Sequence, residues 1–61
     1  MTIHEECINL IHEAESYGWK LEAGTTAEAY VSNWEETARM TPGFDLVVFF
    51  KNMVENVKRW H

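Results

Sequence analysis

The stretch FDLVVFFKNMVENVKRWH, residues 44–61, decides the fold of this chain of 61 residues. Placed on a helix at 100° per residue, eight of its large apolar side chains occupy one continuous arc of roughly 160°. These side chains are Leu46, Val47, Phe49, Phe50, Met53, Val54, Val57 and Trp60. Asp45 can cap the start of such a helix, and Lys58 and Arg59 match the dipole of its last turn. The pattern predicts a helix over about residues 45–60.

A buried strand is the alternative for the first part of this stretch. β-Branched and aromatic residues crowd the segment DLVVFF, residues 45–50, and such residues are common in strands. The helical period nevertheless continues through Trp60, which favours the helix.

The first helix is predicted by a capping box and a glycine. Thr2 is followed three positions later by Glu5, the pattern in which a hydroxyl and a carboxylate satisfy the first backbone donors of a helix. An apolar stripe follows, and Gly18 can adopt the left-handed conformation that ends a helix. The stripe consists of Ile3, Cys7, Leu10, Ile11, Ala14 and Tyr17. We expect a helix over about residues 3–17.

A second capping box, Thr25 with Glu28, opens the next helical pattern. Its apolar stripe is narrower and consists of Ala27, Tyr30, Val31, Trp34 and Ala38. Pro42 disfavours helix at the residue before it, so the pattern ends near Met40. We expect a helix over about residues 26–40.

These elements predict an all-α fold with a three-helix arrangement in a single domain, residues 1–61. The third helix has the broadest apolar arc and should contact both of the others, so the C-terminal helix is expected to be central. Trp19 and Leu21, in the connection between the first two helices, are expected to cover one end of the core.

Composition bears on the compartment. The formal net charge is −5, and Cys7 is the single cysteine, so no intramolecular disulfide can form and a reduced, cytoplasmic setting is expected. The longest apolar run, LVVFF at residues 46–50, is far shorter than the ~20 residues that cross a bilayer, and the N-terminal segment lacks the features of a secretory signal. We expect no membrane association.

Candidate chemistry fails on spacing. His4 and His12 are each followed by glutamate but lie eight residues apart, which is ~12 Å along a helix and too far for one metal ion. Cys7 falls on the buried stripe next to acidic residues, which does not favour a reactive thiolate. The glycines are isolated at turns, so no phosphate-binding loop is present. The sequence predicts no enzyme, no metal and no cofactor.

The surplus of aromatic residues predicts a protein partner. Three Trp, three Phe and two Tyr in 61 residues exceed what one narrow core comfortably holds, and Trp and Tyr are favoured interface anchors. We expect Leu46, Phe50 and Val57 to hold the monomer together. The expected partner-binding residues are Phe49, Met53, Trp60 and Trp34, with pairing to a second copy as a homodimer. The alternative is a monomer with an unusually aromatic core.

A nucleic-acid-linked regulator is the alternative function. Lys51, Lys58 and Arg59, with a stacking Trp60, could contact DNA directly. The acidic first half could instead mimic DNA and inhibit a DNA-binding protein. Direct DNA binding must overcome the overall negative charge of the chain, whereas mimicry of DNA uses that charge.

Over its whole length, from MTIHEECINLIHEAES to NVKRWH, the chain resembles the short accessory proteins of the early regions of temperate lambda-like bacteriophages. The shared features are small size, acidity and an all-helical pattern. The resemblance implies a regulatory role in infection or in the choice between lysis and lysogeny, exerted through host or phage proteins.

Overall fold

The computed structural model describes residues 1–60 and contains three α-helices: Ile3–Ser16 (α1), Ala27–Met40 (α2) and Leu46–Trp60 (α3). Each helix begins and ends within one residue of its predicted bounds. No strand occurs in residues 1–60, so the all-α prediction is confirmed and the strand alternative for residues 45–50 is wrong.

The capping box of α1 forms as predicted. The backbone N–H of Glu5 donates to Oγ1 of Thr2 at 3.1 Å, and the backbone N–H of Thr2 donates to Oε1 of Glu5 at 3.1 Å. The hydrogen bond that the Thr2 backbone N–H donates to the Glu5 carboxylate lowers the pKa of that carboxyl, and a second hydrogen bond from the Thr2 hydroxyl lowers it further. The start of α1 is therefore determined by its own local sequence.

The predicted cap of α2 is wrong by one residue. Thr26, rather than Thr25, is the N-cap, and its Oγ1 accepts a hydrogen bond from the backbone N–H of Ala29 at 3.1 Å. Thr25 belongs to the preceding turn, because its backbone N–H donates to the carbonyl of Glu22 at 3.0 Å. Either threonine could cap the helix by its chemistry. Because Thr25 is held in the preceding turn, the helix begins after Thr26.

A tight turn separates α2 from α3. The backbone N–H of Phe44 donates to the carbonyl of Thr41 at 3.2 Å, and Gly43 has a positive φ of 81°. Pro42 precedes that glycine, as in a type II turn. Asp45 then caps α3, since its Oδ1 accepts from the backbone N–H of Val48 at 3.2 Å.

The helices pack around α3. The pair formed by α1 and α3 is the most extensive contact, and α3 supplies the largest fully buried side chain, Phe50. Phe50 also meets Tyr30 of α2 edge to face at 6.1 Å between ring centroids. The core consists of Cys7, Ile11, Ala14, Ala27, Val31, Leu46, Phe50 and Val54, all apolar. The C-terminal helix is therefore central, as predicted.

One expected core residue of α3 is not in the core. Val54 is buried beside Leu46 and Phe50, whereas Val57 is half-buried. Val57 shares the middle of the apolar arc with Leu46 and Phe50, but it lies three residues from the end of α3, where it lines an open groove and not the core.

Within residues 1–60, none of the helices combines the length and the hydrophobicity that crossing a membrane requires.

Candidate functional site

An open apolar groove of about 670 Å³ runs along the outer edge of α3. Six of its residues lie on α3: Phe49, Asn52, Met53, Asn56, Val57 and Trp60. The other side is formed by the end of α1 and the start of the connection to α2, namely Tyr17, Gly18 and Trp19. The groove therefore lies between one edge of α3 and the end of α1.

The backbone around Gly18 places Trp19 at the groove. Gly18 has a φ of 103°, and its N–H donates to the carbonyl of Glu15 at 3.0 Å. The N–H of Trp19 donates to the carbonyl of Ala14 at 3.2 Å. These two hydrogen bonds form a Schellman motif, which turns the chain back over the end of α1. Trp19 consequently packs against the core, 5.7 Å from the Tyr30 ring, as well as lining the groove.

Three of the four predicted partner-binding residues line this groove together. Phe49, Met53 and Trp60 share one edge of α3. Phe49 and Met53 are half-buried, but Trp60 is 87% exposed. An indole with so much surface in water is the most prominent apolar feature of the groove.

Trp34, the fourth predicted residue, is not among the residues that line the groove. It is half-buried and packs behind Phe49, with ring centroids 4.4 Å apart. Phe44 completes this aromatic cluster, parallel to Trp34 at 6.1 Å and 5.6 Å from Phe49. The cluster holds one wall of the groove in place, so Trp34 supports a surface residue from behind.

The groove residues carry no formal charge, although a quarter of the chain is charged. Their polar groups are the phenol of Tyr17, the indoles and the side-chain amides of Asn52 and Asn56. Sequence reasoning missed Tyr17, Gly18 and Trp19 as site residues. The available signal was Gly18, whose position at the helix end predicts that the next residue turns back onto the bundle.

The basic end of α3 is partly neutralised within the fold. Nζ of Lys58 lies 3.3 Å from Oε2 of Glu13 and 3.8 Å from Oε1 of Glu55. It also lies 5.5 Å from the centroid of the Tyr17 ring. The hydrogen bond with Glu13 raises the pKa of Lys58. The carboxylates nearest to this surface lysine thus lie within the monomer.

His4 and His12 each lie beside a carboxylate, and Cys7 is buried. Nδ1 of His4 lies 2.7 Å from Oε1 of Glu35 and links α1 to α2, whereas Nδ1 of His12 lies 3.1 Å from Oε1 of Glu15. Cys7 is fully buried, and burial raises the pKa of its thiol, with the Glu35 carboxylate adding to the effect. In residues 1–60, no three His, Cys, Asp or Glu side chains are grouped so that they could hold a metal ion.

A second cavity, of about 400 Å³, lies near the other end of α3. Its apolar lining includes Ile3 and Phe44, and its edge carries Glu35, Arg39 and Asp45. Ile3 is 61% exposed there, contrary to its predicted place on the core stripe. The charged edge distinguishes this cavity from the uncharged groove at Trp60.

Comparison with known proteins identifies no relative: no family model matches the chain, and no curated protein or solved structure is significantly similar to it.

Proposed function

We propose that the protein is a small, non-enzymatic interaction module that docks a protein partner in the groove along α3. The observation that carries the proposal is the 87% exposed Trp60 at an uncharged, aromatic groove. Aromatic side chains at the centre of an interface supply much of its binding energy. A regulatory role in infection, which the resemblance to phage accessory proteins implies, would be exerted through this contact.

The free energy available from Trp60 is large for so small a surface. An aromatic side chain buries about 150 to 250 Å². At about 25 cal/mol per Å², covering the exposed part of Trp60 gives on the order of 4 kcal/mol before the costs of association. Phe49 and Met53 add half-exposed apolar surface beside it. Docking at this groove is therefore the energetically favoured way to cover the surplus apolar surface.

The chemistry of the groove favours binding over catalysis. General acid–base and nucleophilic mechanisms need carboxylates, imidazoles, thiols, amines or activated hydroxyls close to the substrate. Among the groove residues only Tyr17 has a titratable side chain. Apolar rings and two amides are instead suited to recognising a protein surface.

The ion pairs of Lys58 weigh against the direct form of the nucleic-acid alternative. Contacts with phosphates require free cations at the surface, and Lys58 is engaged by Glu13 and Glu55. Binding to a protein partner uses the groove and does not require that lysine to be released.

Site-specific photocrosslinking tests the proposed function. A photoreactive phenylalanine analogue replaces Trp60 in one variant and Val48 in a matched control, and both variants are expressed in the native host. Val48 is 49% exposed and lies outside the groove on the same helix. We expect covalent adducts with a protein, either a second copy or another chain, from position 60 and not from position 48. Equal labelling from both positions, or none from position 60, would contradict the docking function.

A further inference from the structure

We propose that the occupant of the groove is a second copy of this chain, bound with its α3 antiparallel to this α3. Each Trp60 then fills the groove of the other copy, so the site is complete only in the dimer. This inference rests on the proposed function of the groove and names its partner.

The spacing of the groove residues supports helix pairing. Phe49, Met53, Asn56 and Trp60 are separated by four, three and four residues, which is the alternation of d and a positions in a coiled coil. Antiparallel pairing of such a stripe places d residues opposite a residues. Phe49 and Met53 are four residues apart, as are Asn56 and Trp60. One two-fold axis can therefore bring all four residues of the stripe into opposed pairs.

In that register Phe49 lies opposite Trp60 of the second copy, and Met53 lies opposite Asn56 of the second copy. The same surface is used by both copies, as two-fold symmetry requires. Asn52 of the second copy lies within one residue of the position opposite Asn56, so the two amides can pair across the seam.

Charge selects a second copy over a charged helix. Each chain carries a net charge of −5, so self-association requires a contact surface without like charges. The groove provides one, because its lining has no Asp, Glu, Lys or Arg. The amides of Asn52 and Asn56 are both donors and acceptors, so they can pair with the same groups on another copy. A charged partner helix would find no opposite charge in the groove.

Charge also selects the antiparallel direction. Asp45 and Arg59 lie on the same flank of the seam, near opposite ends of α3. Antiparallel pairing brings the Arg59 end of each helix towards the Asp45 end of the other, and it opposes the two helix dipoles favourably. Parallel pairing places each of these residues beside its own counterpart.

The area involved predicts a weak, reversible dimer. Each copy buries Trp60, the groove wall that receives the other indole, and the half-exposed parts of Phe49, Met53 and Val57. With about 200 Å² for each large aromatic side chain, the total is on the order of 1,200 Å², at the lower limit of specific interfaces. We expect dissociation in the micromolar range.

Sedimentation equilibrium of the purified protein measures the pairing. The wild type should dimerise with a micromolar Kd, and Trp60→Ala should weaken the Kd by about tenfold or more, as for an interface anchor. Val48→Ala, at an exposed position outside the groove, should leave the Kd unchanged. Circular dichroism checks that both variants keep their helicity. A wild type that stays monomeric at about 100 micromolar, well above the expected micromolar Kd, would overturn the proposal.

Disulfide trapping tests the register. In a Cys7→Ala background, Met53→Cys and Asn56→Cys variants are oxidised separately and as a mixture. Antiparallel pairing predicts a mixed 53 to 56 disulfide that exceeds either self-crosslink, because only opposed positions have the Cβ separation that a disulfide needs. Dominant 53 to 53 and 56 to 56 crosslinks would overturn the antiparallel arrangement.

The two proposals fail in different ways. A monomeric protein that still crosslinks from position 60 to another chain in its host would overturn the second-copy inference and leave the docking function standing. A monomer with no crosslink from position 60 would overturn both.

Discussion

Phe50 is the residue on which the monomer most depends. It is fully buried and is the largest such side chain in residues 1–60. Phe50→Ala should cost about 3 to 5 kcal/mol of unfolding free energy, through lost burial and the cavity that remains. A core this small seldom supplies more than about 3 to 5 kcal/mol, so this variant should lose its helical circular dichroism signal.

Val48→Ala provides the control for that substitution. Val48 lies on the same helix and is 49% exposed, so its truncation should change the unfolding free energy by less than about 0.5 kcal/mol. Chemical denaturation of the three proteins measures the difference. A Phe50→Ala protein as stable as the control would contradict the account of the core.

For single residues, the sequence predicted some side-chain environments and not others. Burial of Leu46 and Phe50 follows from their place at the middle of the apolar arc of α3. Val57 lies at the same middle but near the C-terminal end of α3, and the arc alone does not say how far along the helix the core extends. Trp34 shows the same limit, because periodicity places it on the apolar stripe of α2 but cannot tell a surface anchor from a support behind Phe49.

Among the elements, the start of α2 offers the clearest test of a local interaction. Thr26 accepts the capping hydrogen bond from Ala29, whereas Thr25 makes its backbone hydrogen bond in the preceding turn. Thr26→Ala should destabilise the protein by about 1 kcal/mol, the usual effect of losing an N-cap. Thr25→Ala, which keeps the cap and that backbone hydrogen bond, should cost less. Thermal unfolding of the pair decides, and a larger loss from Thr25→Ala would contradict the assigned cap.

The bounds of the helices were predictable because their signals are local. Capping side chains, Gly18 and Pro42 act within a few residues of the positions that they determine. The course of the connection was less accessible, since Trp19 is brought to the groove by the Schellman motif together with packing against Tyr30. Only the first of these contributions is local.

For the whole molecule, size explains why a groove exists. A chain of this length buries only about 60% of the surface that it exposes when unfolded. The core uses one part of the apolar arc of α3, facing α1 and α2, and leaves the Trp60 edge uncovered. The sequence predicted this surplus and three of its residues. It could not predict the groove itself, which depends on where the end of α1 lies relative to α3.

If the uncovered edge is closed by a second copy, folding and association are coupled. Only folded chains then associate, so the stability of the protein against unfolding increases with protein concentration. A monomer with an unusually aromatic core has no such dependence. The two descriptions of the aromatic surplus are therefore separable by one experiment.

That experiment is thermal unfolding, followed by circular dichroism, at protein concentrations of about 5 and about 200 micromolar, on either side of the expected micromolar Kd. The account predicts that the Tm of the wild type rises by several degrees between the two concentrations. The Tm of Trp60→Ala should rise less over the same range, with its helicity retained. A wild-type Tm that does not change with concentration, and a Trp60→Ala protein that behaves identically, would contradict the claim that a second copy completes the groove.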